Sequence, residues 1–99
     1  MYGQLYSETL AAGGADAGDW FAVDSDGRTH LPVAISITGT ATVQLEGRNL
    51  TTDTAVVIDT KTASGGVVAA RYAQMRINVT SSTAGAVVAA SIDAKLRTV

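Results

Sequence analysis

Few residues in this 99-residue chain could perform acid–base, metal or nucleophilic chemistry. There is one histidine, His30, and it follows closely on Asp24 and Asp26. An imidazole near two carboxylates is the raw material of a metal site or a general base. The spacing favours a plainer use. Asp24-Ser25-Asp26-Gly27 is a turn sequence, in which Asp and Ser bond local backbone and Gly accepts a positive φ. It is not a calcium loop, because an EF-hand needs a bidentate Glu at its twelfth position and Ile35 stands there. His30 is therefore expected to be a solvent-exposed residue at the start of a strand. No serine sits in a Gly-x-Ser-x-Gly elbow, and the chain has no cysteine for thiol chemistry. Gly13-Gly14 and Gly65-Gly66 do not lead into a helix followed by Lys, as a phosphate loop would. The expectation is a protein without catalytic residues, metal ligands or cofactor, and so not an enzyme.

Charge narrows the partners. Seven Lys and Arg against nine Asp and Glu give a net charge of −2. The cations are scattered from Arg28 to Arg97 with no basic run, so nucleic acid is not expected as a partner. No stretch approaches the ~18 consecutive apolar residues of a membrane-spanning helix. Met1-Tyr2-Gly3-Gln4-Leu5 lacks the basic and apolar regions of an export signal. The expected location is thus the cytoplasm, or a particle assembled there. Asn49-Leu50-Thr51 and Asn78-Val79-Thr80 match the glycosylation acceptor pattern and are read as chance matches in a Thr-rich chain.

The elements that would position these residues are strands. Residues 4–10 suit a first strand, followed by a small-residue loop, Ala11 to Gly18. Asp19 to Val23 is a strand carrying the only Trp and the only Phe. Val33, Ile35 and Ile37 alternate with polar or small residues, as on a half-buried strand, and Pro32 sits at its start. Ala41, Val43 and Leu45 point inward in the next strand, while Thr42, Gln44, Glu46 and Arg48 point to water. Ala55 to Thr60 is expected to be covered on both faces. Ser64-Gly65-Gly66 is read as a turn, and Val67 to Arg71 suits either a helix or a strand. Ala73, Met75, Ile77 and Val79 form the cleanest alternation. After a loop at 81–85, the inward set Ala86, Val88, Ala90, Ile92 and Ala94 follows. These segments predict an all-β fold, an antiparallel sandwich or barrel of about seven to eight short strands.

Residues 1–99 form one expected domain. A chain of this mass should expose roughly 5,300 Å² folded against about 14,600 Å² extended, so its core is modest. Aromatics make up 5% of it, and the core must be built from smaller aliphatic side chains. A lean core often gains from neighbours, so self-association or assembly contacts are expected. The Gly/Ala-rich segment 1–18 is the expected N-terminal docking arm. Gly13, Gly14, Asp16, Trp20 and Phe21 are the expected partner contacts.

Two segments carry a family resemblance. They are Ile37-Thr38-Gly39-Thr40-Ala41-Thr42-Val43-Gln44-Leu45-Glu46-Gly47 and Arg71-Tyr72-Ala73-Gln74-Met75-Arg76-Ile77-Asn78-Val79-Thr80, the latter followed by Gly85 and Val87 to Ile92. Over residues 33–94 the chain resembles small β-sandwich virion proteins of tailed bacteriophages. Those carry a Gly-Thr-x-x-Val-x-Leu-x-Gly hairpin before a Tyr-x-x-x-Arg-x-x-Val-Thr strand. It departs from them in having Thr54-Ala55-Val56 in the region where the group often carries Trp. The resemblance implies a capsid decoration (cement) protein, located in the virion. Its partners would be the major capsid protein or other virion proteins. The alternative is a head-fibre or tail-associated module that binds host-surface carbohydrate, with Trp20, Phe21, Tyr2, Tyr6 and Tyr72 as the available aromatic platform.

Overall fold

Strands dominate because β-branched and small residues alternate along most of the chain. The computed structural model describes residues 3–99. It contains ten strands. They are β1 (Gly3–Thr9), β2 (Asp16–Ala17), β3 (Phe21–Asp24), β4 (His30–Thr38), β5 (Ala41–Arg48), β6 (Val56–Lys61), β7 (Gly65–Ala70), β8 (Gln74–Ser82), β9 (Val87–Ile92) and β10 (Lys95–Thr98). A four-stranded sheet has the order β1-β9-β4-β7. The other sheet has the order β10-β3-β8-β5-β6, with β2 also paired to β8. Every pairing is antiparallel. The fold is an antiparallel β-sandwich.

The inner faces are those the alternation marked, except that Ala73, expected to point inward, is exposed because it precedes β8. Val33 and Ile35 from one sheet meet Val43, Leu45, Met75, Ile77 and Val79 from the other in one apolar cluster. Ala86, Val88, Ala90, Ile92 and Ala94 are all buried in it. The accessible surface is 5174 Å², close to the scaling expectation of roughly 5,300 Å² for a folded monomer of this mass. The chain is therefore as compact as a folded monomer of this mass.

Several local expectations are corrected. The strand count rises because β2 and β10 are too short to show a period. Residues 3–10 of the expected docking arm are not free: β1 pairs along β9, and Leu5, Tyr6 and Leu10 enter the core. A bulge between Gln4 and Tyr6 lets the consecutive Leu5 and Tyr6 both turn inward. Gly65 and Gly66 open β7 rather than forming a turn, and Val67 to Ala70 is strand, paired with β4. β6, expected to be covered on both faces, is an edge strand in which Val56 and Val57 are exposed. Its apolar run was misread because a run without alternation resembles a central strand.

Candidate functional site

The two outer faces of the sandwich differ sharply in charge. On the four-stranded sheet the outward residues of β4 are His30, Pro32, Ala34, Ser36 and Thr38, all exposed. Beside them β7 presents Gly66, Val68 and Ala70. On the other side β9 presents Val87, Ala89 and Ser91, and β1 presents Thr9, Ser7 and Gln4 in register with them. Apart from His30 at one end of β4, none of these is ionisable. Val68 is 66% exposed and Val87 39%. The surface is broad and made of short side chains. Covering it would require no ion to leave water, and most of its rotamer freedom is already absent.

The outer face of the larger sheet is organised by ions. Glu46 of β5 lies directly opposite Arg76 of β8, and Arg48 opposite Gln74. Arg76 Nε donates to Glu46 Oε1 at 2.7 Å, and Asn78 Nδ2 donates to Glu46 Oε2 at 3.2 Å. Arg48 Nε donates to Gln74 Oε1 at 2.7 Å. Both guanidiniums reach Trp20: the Arg48 and Arg76 carbons lie 4.2 and 4.6 Å from the ring centroid. Trp20 reaches this place because the chain departs from β8 between β2 and β3. Gly18 approaches closest, its N–H donating to the Ile77 carbonyl at 2.7 Å. A Cβ on Gly18 would stand 2.8 Å from that oxygen and 2.9 Å from the Tyr6 ring, so only glycine fits. Glu46, expected to point to water, is 5% exposed because this cluster covers it. Its charge is balanced by the Arg76 cation and it accepts a second bond from the Asn78 amide, and the two arginines over the ring make the cluster a clasp for Trp20.

The residues expected as partner contacts divide. Phe21 packs inward against the core, while Trp20 lies on the outer face beneath the two arginines. Gly13, at φ 68°, and Gly14 form a turn: Gly13 N–H bonds the Ser82 carbonyl, and Gly14 N–H bonds the Ala11 carbonyl. Ser82 Oγ donates to the carbonyls of Ala11 and Gly14, fixing the loop to β8. Asp16 accepts a 2.5 Å hydrogen bond from the Tyr6 hydroxyl. Burial, and then that carboxylate, hold the Tyr6 phenol well above its ordinary pKa. Asp16 and Phe21 line a cleft with Glu8 and Asp19, while Gly13 and Gly14 lie outside it. The charge-free face lies outside the residues that the sequence singles out. The signal was present in the run Pro32-Val33-Ala34-Ile35-Ser36-Ile37-Thr38, whose outward set holds no ion.

His30 is exposed at the start of β4, with Nδ1 3.1 Å from the Thr29 hydroxyl. Asp24 is engaged locally, its Oδ1 accepting from Asp26 N–H at 3.1 Å. Among the described residues, no three of His, Asp and Glu gather in a way that could hold a metal ion. Of the described aromatics, Tyr6 is 6% exposed, while Phe21 packs against the core, Tyr72 over Gly47 and Trp20 under the arginines, all three half-buried. Tyr2 lies outside the described residues. No described helix is long and apolar enough to cross a membrane.

No family model matches the chain, and neither a curated protein nor a solved structure matches it significantly.

Proposed function

We propose that this chain is a structural protein of a bacteriophage particle, a decoration (cement) protein that binds across major capsid subunits. It acts by surface contact rather than by catalysis. The observation that carries this reading is the charge-free outer face of β1, β9, β4 and β7. A flat field of Ala, Ser, Thr, Pro and Val suits repeated shallow contacts, each of small energy, multiplied over many copies on one shell. The likeness of residues 33–94 to small virion β-sandwiches supports the setting, with assembly in the host cytoplasm and residence in the virion.

The test is quantitative mass spectrometry of purified particles, together with a Ser36→Arg variant. Ser36 is exposed in the middle of the face, so the variant should fold normally. The expected result is the wild-type chain in fixed stoichiometry to the major capsid protein, and loss of Ser36→Arg from the shell. Absence of the wild-type chain from mature particles overturns the proposal.

A further inference from the structure

We infer that β7 pairs edge to edge with β7 of a second copy of this chain, joining two four-stranded sheets across a two-fold axis at Val68. The inference concerns the sheet edge and does not rest on the virion reading.

The edges are β1 and β7 in one sheet and β10 and β6 in the other. Exposed edges are normally guarded by charge, proline or bulges, which stop other strands from adding. β1 carries Glu8 and a bulge at Leu5. β10 carries Lys95 and Arg97. β6 carries Asp59 and Lys61 and has a bulge at Ile58. β7, Gly65-Gly66-Val67-Val68-Ala69-Ala70, has no charge, no proline and an unbroken register with β4.

Pro32 shows which backbone groups face outward. It stands opposite Val68, and its carbonyl accepts from Asp93 N–H at 3.0 Å on the far side, towards β9. In an antiparallel ladder the N–H and C=O of one residue point the same way. Pro32–Val68 is therefore a non-hydrogen-bonded pair, and Val68 turns its N–H and C=O away from β4. Arg71 N–H donates to the Thr29 carbonyl at 3.0 Å, which sets the same phase at the end of the strand. By the two-residue period, Gly66, Val68 and Ala70 present their donors and acceptors to the open edge.

An antiparallel second copy engages all three residues in one register. Val68 meets Val68, and Gly66 meets Ala70 on each side, each pair exchanging both N–H···O bonds. The strand is self-complementary in size, with small residues opposite each other at the ends and the two 66%-exposed Val68 side chains side by side at the centre. No ion within the strand is brought against its like. Arg71 comes opposite Gly65 of the second copy, where the Lys61 ammonium stands 3.4 Å from a Gly65 Cβ position. Asp59, 3.6 Å from that ammonium, offsets this approach.

The experiment is sedimentation velocity of the purified chain from micromolar to near-millimolar concentration, with Val68→Pro and Ser36→Arg alongside. Val68→Pro deletes an N–H that no strand of the same copy uses, so circular dichroism should keep the wild-type β signal. Wild type should form a concentration-dependent dimer, and Val68→Pro should weaken it about tenfold or more. Ser36→Arg, on β4 just past the end of its pairing with β7, should dimerise like wild type. Hydrogen exchange at Gly66, Val68 and Ala70 should slow with concentration in wild type alone. If Val68→Pro loses the β signal, these three amide rates in wild type decide by themselves. A wild-type monomer at every concentration, a dimer unaffected by Val68→Pro, or exchange at these amides that ignores concentration overturns the inference.

Discussion

Arg76 donates to Glu46 at 2.7 Å from the directly opposed position on the neighbouring strand, and the carboxylate it reaches is 5% exposed. The two partners are unequal. The Arg76 side chain keeps 23% of its surface in water, the Glu46 side chain 7%. Removing the cation strands a charge that has only Asn78 left, whereas neutralising the anion leaves a cation that can turn to solvent. Arg76→Ala is expected to cost about 2–4 kcal/mol and Glu46→Gln about 1 kcal/mol. The double variant should cost less than the sum, as read from urea denaturation in a double-mutant cycle.

Trp20 is the sole tryptophan, so its emission reports on the clasp alone. Taking away Arg48 and Arg76 together should shift that emission to the red and raise acrylamide quenching. Each lost cation–π contact is worth roughly 0.5–1 kcal/mol at a partly exposed site. An emission spectrum unchanged in the double variant would show that the arginines do not cover the ring in solution.

Gly47 is buried beneath Tyr72, and a Cβ there would stand 2.4 Å from the ring. Gly47→Ala should therefore displace Tyr72 and cost about 1–3 kcal/mol. In a Tyr72→Ala background the same substitution should cost less, because the ring has gone, though the Cβ that remains at residue 72 still stands 2.9 Å away. Equal costs in the two backgrounds, by thermal or urea unfolding, would contradict this packing.

Tyr6 gives an alkaline prediction with a definite sign. Burial and Asp16 raise its pKa in the folded state, so the folded protein holds this proton more tightly than the unfolded chain. The stabilisation is complete below the unfolded value, about pH 10, and is lost as pH rises towards the folded value. Tyr6→Phe should cost about 1 kcal/mol near neutrality by losing the bond to Asp16. Its stability should fall less than that of wild type above about pH 10, as followed by urea denaturation across that range.

The all-β class, the inward sets at 75–79 and 86–94, and the Asp24–Gly27 turn were determined by the sequence alone. Each rests on a local rule: a two-residue period sorts side chains between core and water, and Asp and Gly suit the turn they form. Residues distant in the chain decided the rest. Glu46 reads as a solvent-facing position of an alternating strand, yet Arg76 and Asn78 of β8 hold it, and Trp20, 26 positions earlier in the sequence, stacks on that arginine. β6 reads as a central strand, yet strand order leaves it at an edge. The charge-free outer face gathers β1, β4, β7 and β9, and no single segment shows it. The open groups of Gly66, Val68 and Ala70 depend on which side of β7 faces β4, a phase carried by the ladder and not by side-chain type. Alternation assigns residues to faces, and only the pairing of strands assigns those faces neighbours.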